Sequence, residues 1–503
     1  MTLHTTPDVL AEIVIPASVA TQVHLRRTEP ALYIADNYRN TAHIQALVRE
    51  ITSRLPDIPL SIVPLDEIHA MNKGLPTEVR MELTSPQRKV VALFRQAVER
   101  KASDIHLAIG EDGLAIVKFR IHGELFKVDS MSKEEAENMA STIILSMCDV
   151  TEAQFNSSRP QDGRIKASYL QGMKLFGARY SHTPTVYGIH AVMRLIKDDS
   201  ENPPGLAELG FLAEQQETLQ DILNVPEGVV ILSGPTGSGK SATLRTLASI
   251  YMTQHDYRKN LVTYEDPPEG RIIGAVQCPI VADKNNPDEV LRVWRQLLSN
   301  TLRIDPDAIM VGEMRDAFSA NSCVTNAMTG HLVLSTLHAN DPINILERLL
   351  TLDVRPELLS DPQLFIGLIS QRLVQVLCPH CCLDWETVQS TLPQNENAMI
   401  KAHCDTDSVR FRYAEGCEHC EGGVAGRQVV AEIIRPDARF MQRYRHEGKL
   451  SARSYWLQQP GSISRNAHVL KLINAGHVDP RAAQSICPLD EDSLMNIAEG
   501  VNE

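Results

Sequence analysis

An α/β protein of several domains is the fold class this sequence predicts, and three observations carry that reading. Apolar runs at 229–232, 261–264, 309–311 and 332–334 alternate with amphipathic helical stretches, which favours a largely parallel sheet covered by helices on both faces. Gly234-Pro235-Thr236-Gly237-Ser238-Gly239-Lys240-Ser241 follows the first run and precedes Leu244, Leu247, Ala248 and Tyr251 at helical spacing, so strand, glycine-rich loop and helix succeed one another. Breaks such as Asn202-Pro203-Pro204-Gly205 then divide a chain of 503 residues, too long for a single core.

Taken in order, residues 1–84 carry apolar runs at 32–35 and 60–63 around a helical stretch with Ile44, Leu47, Val48 and Ile51, a small β-α-β unit. Residues 71–85, with Asn72, Gly74, Pro76 and Thr84, read as a linker. Residues 85–200 read as an α+β domain. It opens on a helix with Val90, Val91, Phe94, Ala97 and Val98 on one face, then passes into alternating strands with a hairpin at Asp112-Gly113. Residues 201–375 form the α/β domain proper, where the helix over 289–300 is core-facing through Val290, Val293, Trp294, Leu297 and Leu298. A cysteine-bearing segment occupies 376–430, and a helical, polar segment occupies 431–503.

Composition narrows the function classes. Hydrophobic residues make up 43% and charged residues 22%, the balance of an ordinary folded protein. The net charge of −14 argues against bulk electrostatic binding to nucleic acid. No window approaches about eighteen uninterrupted apolar residues, and no signal peptide is read, so a cytoplasmic protein is expected. Ten cysteines in such a chain are not a disulfide framework, and clustered thiols point instead to metal ligation.

The glycine-rich loop is the strongest chemical signal. Backbone N–H groups from Gly234, Pro235, Thr236, Gly237, Ser238, Gly239, Lys240, Ser241 and Ala242, proline excepted, would wrap the phosphates of ATP. Lys240 would reach the β- and γ-phosphates, and Ser241 would offer its hydroxyl to Mg²⁺. Glu265, Asp266 and Glu269 follow a buried run, at the end of a strand where ligands of such sheets collect. Glu313, after the run 309–311, would orient the attacking water, while Gly312 stands where a magnesium-bearing aspartate is usual. His331 and His338 bracket another strand; they would sense the γ-phosphate or pass the change between subunits, or are satisfied core histidines, and spacing alone decides neither.

Cys378-Pro379-His380-Cys381 and, thirty-five residues on, Cys417-Glu418-His419-Cys420 supply two C-x₂-C knuckles. Cys378, Cys381, Cys417 and Cys420 would close a tetrahedral structural Zn²⁺ site with no position open for water. Cys382, Cys404 and His403 are read as bystanders, and Cys148, Cys278, Cys323 and Cys487 as small core residues.

Taken together these boxes resemble the ATPases that power type II secretion and type IV pilus assembly. Ala102-Ser103-Asp104-Ile105-His106, Phe119-Arg120-Ile121-His122-Gly123, Pro160-Gln161-Asp162-Gly163-Arg164 and Pro184-Thr185-Val186-Tyr187-Gly188 join the resemblance, which runs from about 90 to 434. It implies a PAS-like subdomain over 85–200, a RecA-like P-loop subdomain over 201–375, and assembly into a homohexamer. It implies that Arg164, Arg179 and Arg194 reach the nucleotide when the two subdomains close, neutralising charge on the transferred phosphoryl group. The tetracysteine segment after Gln371-Arg372-Leu373 is similar to assembly-type members and is missing from retraction motors, so pilus assembly or secretion is expected over retraction. The expected partners are an inner-membrane platform protein, a cytoplasmic adaptor docking residues 1–84, and no nucleic acid; a conjugative-plasmid pilus is one home such a motor would have. A zinc-ribbon nucleic-acid binder switched by ATP is the alternative from another class. It needs basic and aromatic residues interleaved, and Arg410, Phe411, Arg412 and Tyr413 with Trp385 offer little of that.

Overall fold

The computed structural model describes residues 13, 15, 19–26, 29–39, 41–72, 83–150, 154–282 and 286–496. They fall into two units, Met1–Thr84 and Ser85–Glu503. In the first, Val23–Arg26 pairs antiparallel with Ala31–Ala35, and Leu60–Val63 joins Ala31–Ala35 in parallel after the helix Ala42–Arg54. Ile44, Leu47 and Ile51, one helical face apart, are buried with Leu32 and Ile34. The strand Val23–Arg26 extends the β-α-β unit read from the sequence. Of the linker read over 71–85, residues 73–82 lie outside the described residues, Asn72 ends the helix Leu65–Asn72, and Ser85 opens the helix Ser85–Glu99.

The second unit holds two large sheets. The first runs Glu124–Ser132, Leu114–Ile121, Asp104–Ile109, Ile189–Lys197, Leu175–Pro184, Gln161–Ile165, Cys148–Val150, antiparallel throughout. Strict alternation explains its two faces: Ala115, Val117, Phe119 and Ile121 are buried, whereas Lys118 and Arg120 between them are half-exposed. The helix Ser85–Glu99 buries Val90, Val91, Phe94 and Ala97. The helix Lys133–Thr142 is capped by Ser132, whose side chain accepts from the Glu135 N–H, with Glu134 and Glu135 in its first turn. Register then aligns one row of charges: Arg164 faces Arg179, Arg179 faces Arg194, Arg194 faces Asp104, and Asp104 faces Arg120. Residues directly opposite in a ladder share a face, so the row lies on one side of the sheet.

The second sheet runs Val276–Pro279, Leu261–Glu265, Ala308–Val311, Leu332–Leu337, Gly228–Ser233, Phe365–Leu377, Val424–Ile434. All its pairings are parallel except the last. Its inner strands are buried end to end, as strands covered on both faces must be. Val229 and Ile231 belong to one core, Val230 and Leu232 to the other. The helix Pro287–Asn300 closes the first of these cores with Trp294 and Leu298.

Two features differ from the sequence reading. Phe365–Leu377 and Val424–Ile434 form a long antiparallel pair at the sheet edge, and the helical stretch expected from 431 begins only at Ala438–Glu447. The reason is local: Val429, Val430, Ala431, Ile433 and Ile434 are a buried, mostly β-branched run that fits a pleated surface better than a helix. That pair also explains the cysteines. Because Leu377 is opposite Val424, the knuckle that follows one strand meets the knuckle that precedes the other.

Candidate functional site

The glycine-rich loop links the strand Gly228–Ser233 to the helix Lys240–Gln254. Gly234 has φ 147° and is in close quarters: a Cβ there would sit 2.5 Å from the Gln371 carbonyl oxygen and 2.6 Å from Ser238 Oγ. Buried Gln371 donates through Nε2 to the Ser238 carbonyl at 2.8 Å, so the neighbouring strand clamps the loop. Lys240 folds back, its Nζ donating to the carbonyls of Gly234 at 2.8 Å and Pro235 at 3.2 Å. Burial holds its ammonium below the usual lysine range, opposed by the Glu313 charge. Ser241 is exposed in the first turn and Ala242 half-buried behind it. The unpaired N–H groups and dipole of that turn make an electropositive cradle.

Around this cradle stand the carboxyl ends of the parallel strands. Glu265, 6% exposed, accepts from Thr263 Oγ1 at 2.6 Å and from Gln277 Nε2 at 3.0 Å through the same oxygen. Gly312 follows Ala308–Val311 and is pinned on both sides, its N–H donating to the Tyr264 carbonyl at 2.9 Å and its own carbonyl accepting from Thr336 Oγ1 at 2.7 Å. The next residue, Glu313, lies 3.0 Å from His338 Nε2 and accepts from Arg315 Nε at 2.8 Å. Arg315 also stands 3.6 Å from Asp266. His331 is elsewhere. Its Nδ1 is 2.9 Å from the Asn326 carbonyl and its own carbonyl accepts from the Gly228 N–H at 3.1 Å. It therefore marks the far end of the strand Leu332–Leu337, roughly 20 Å from His338 at the usual rise per residue. The structure brings His338 to the acids and leaves His331 at the base of the sheet.

The charged row of the first sheet meets the acidic segment through one member. Arg179 Nη2 donates to the Pro267 carbonyl at 3.3 Å and lies 3.9 Å from Glu269. Burial lowers its pKa, opposed by Glu269, and its Nε is buried without a partner. Arg194 donates to Asp104 at 2.9 Å, and Arg164 makes a forked pair with Asp149 at 3.0 and 2.9 Å. Arg120 donates to the Gly123 carbonyl at 2.9 Å and stands 3.8 Å from Asp104. Sequence reasoning gave Asp104, Arg120, Arg315 and Gln371 no role, although Asp104, Arg120 and Gln371 stand in stretches that carry the resemblance. Only the strand register reveals the first two, and only packing reveals the others.

The sulfurs of Cys378, Cys381, Cys417 and Cys420 all lie within 4.8 Å of one another, close enough to share one metal ion. Cys378 to Cys417 is 3.8 Å, while Cys381 to Cys420 and Cys417 to Cys420 are both 3.7 Å. Cys382, Cys404 and His403 are outside this group. Cys148, Cys323 and Cys487 are buried, and Cys278 is half-buried on an edge strand.

Residues 80–478 match the Type II/IV secretion system protein family. The chain belongs to this family. It is 34% identical over 362 residues to the type IV pilus assembly ATPase PilB of Thermus thermophilus, covering 72% of this chain and 38% of that one. It is 35% identical over 349 residues to the type II secretion system protein E of Pseudomonas aeruginosa, covering 69% of this chain and 64% of that one. The chain thus spans less than two thirds of either relative's own length. In fold it is similar to the Legionella pneumophila ATPase DotB, with a TM-score of 0.54 at 19% identity over 80% of this chain and 96% of that one. Among the described residues no helix is long and apolar enough to cross a membrane.

Proposed function

We propose that this chain is the motor ATPase of a type IV pilus assembly or type II-like secretion system, hydrolysing Mg·ATP between a RecA-like P-loop lobe at 201–375 and a PAS-like lobe at 85–200. The observation that carries this reading is the convergence of the Lys240 loop, Glu313 and His338 at the carboxyl ends of the inner parallel strands, with Arg179 reaching across from the other sheet. In the present geometry Lys240 holds the loop's own carbonyls, contacts that phosphate oxygens would replace with stronger, charge-assisted ones. Ser241 would ligate Mg²⁺ with waters, because Gly312 offers no carboxylate. Glu313, held on one oxygen by His338 and on the other by Arg315, is the carboxylate that would orient the attacking water. Arg179 would move from Glu269 and the Pro267 carbonyl to the terminal phosphate as the lobes close, with Arg164 and Arg194 on either side of it in the row. Closure then becomes work. Residues 1–84 would dock a cytoplasmic adaptor, six copies would form the ring, and an inner-membrane platform would receive the motion of this cytoplasmic motor.

The four thiolates would hold Zn²⁺. Tetrahedral zinc with sulfur at ~2.3 Å requires sulfur–sulfur edges of ~3.8 Å, which the three separations of 3.7 to 3.8 Å fit. With four protein ligands the ion would contribute folding energy to the segment and no reactive water.

Lys240→Ala and Glu313→Gln test the assignment. The first should abolish nucleotide binding and turnover; the second should retain ATP binding and lower kcat by about 10²-fold or more. Turnover at the wild-type rate in either variant defeats it.

A further inference from the structure

Arg372 follows the residue that clamps the glycine-rich loop, and its guanidinium is unusually placed. Nη1 donates to the Gln371 carbonyl at 3.1 Å and Nη2 to the Asn340 carbonyl at 2.9 Å. Both partners are neutral, and among the described residues no carboxylate lies within ion-pair distance of it. An arginine resting only on backbone carbonyls keeps its full charge available for an anion. The Gln371 oxygen it touches is the same atom that lies 2.5 Å from the Cβ position of Gly234, so the guanidinium sits against the start of the loop that Lys240 embraces. Burial and the Arg465 charge lower its pKa, opposed by Glu491 and Asp341 at longer range, and its own charge in turn depresses that of Lys240, so the two cations share one neighbourhood. It is not packed in place. Arg372 lines a cavity of about 140 Å³ together with Asn340, Lys449 and Arg465 and the carboxylates Asp341, Glu432 and Glu491, none of which pairs with it directly.

We propose that Arg372 senses the terminal phosphate in cis, leaving the Asn340 carbonyl to bond the γ-phosphate of a bound nucleoside triphosphate. This rests on reading the glycine-rich loop as the triphosphate site. Three cations would then surround the terminal phosphate from different directions: Lys240 from the loop, Arg179 from the other lobe, and Arg372 from the adjoining strand. Arg465 Nη1 donates to the same Asn340 carbonyl at 3.0 Å, so that oxygen keeps a partner when Arg372 leaves. The move therefore strands no buried acceptor, which removes the main cost of breaking the resting contact.

The test measures equilibrium binding of a fluorescent non-hydrolysable ATP analogue and of fluorescent ADP to the full chain with Mg²⁺. Arg372→Met should weaken the triphosphate about tenfold to hundredfold, the worth of one hydrogen bond to a charged group, and leave the diphosphate unchanged. Arg372→Lys should restore part of the loss. Equal weakening of both nucleotides, or no weakening of either, overturns the proposal. Lys240→Ala measured alongside separates the two readings: if it binds both nucleotides like wild type, the loop itself is misassigned. If it loses both while Arg372→Met discriminates against neither, only the role of Arg372 fails.

Discussion

Gly234 shows how tightly single residues are constrained at this site. Its φ of 147° lies where side chains are strained, and the Gln371 carbonyl oxygen and Ser238 Oγ occupy the space a methyl would need. Gly234→Ala should therefore push the loop off Gln371 and weaken nucleotide binding about tenfold or more, while far-ultraviolet circular dichroism stays unchanged. His468 belongs to the same scale. Fully buried, it accepts the Ala431 N–H through Nδ1 at 3.1 Å, and burial pushes its pKa down to about 4. An unfolded histidine titrates near 6.5, so between those values the unfolded chain binds more protons than the folded one. The contribution is fully present above about pH 6.5 and is lost as pH falls towards 4, about 3 kcal/mol in all. Thermal unfolding across that range should show the fall, and His468→Gln, which retains an acceptor, should flatten it.

At the scale of elements, the edge pair Phe365–Leu377 and Val424–Ile434 governs both the loop clamp and the cysteines. The segment between the two strands also grips the other lobe: Arg412 forks onto Glu124, and Arg100 pairs with Glu421 at 2.7 Å. If the four thiolates hold Zn²⁺ as proposed, a chelator should raise amide exchange over 378–420 and at the 121–124 turn, with ATP hydrolysis largely retained. Hydrolysis lost from a chain that remains folded would contradict a purely structural ion. These elements also mark the limit of what could be read in advance. Apolar runs announced 229–232, 261–264, 309–311 and 332–334 because buried parallel strands are apolar throughout, and glycine spacing announced the loop. The edge pair was missed because Gly367, Gln371, Arg372 and Gln375 in one strand and Gly426, Arg427 and Gln428 in the other interrupt its apolar residues, so neither period stands out. His331 and His338 looked equivalent in sequence, since only the direction of the strand tells which end faces the acids.

For the whole molecule, the proposed hydrolysis needs the two lobes to approach. Arg179 lies against Glu269 rather than the Lys240 loop, so a closing motion is the step that nucleotide must favour. If that motion is shared around a ring, light scattering after size exclusion should report six copies, with the assembled fraction rising when a non-hydrolysable ATP analogue is present. A mass that stays monomeric with and without nucleotide would count against a ring formed by this chain alone.

The five charges aligned across the first sheet have a mechanical corollary. Neighbouring strands lie about 4.8 Å apart, so Arg164, Arg179, Arg194, Asp104 and Arg120 are set like teeth on a rigid comb. Their backbone positions therefore advance together. Since side chains alternate between faces, a single residue inserted ahead of Arg179 in Leu175–Pro184 would turn that tooth to the opposite side, silencing it without altering any atom of the arginine itself.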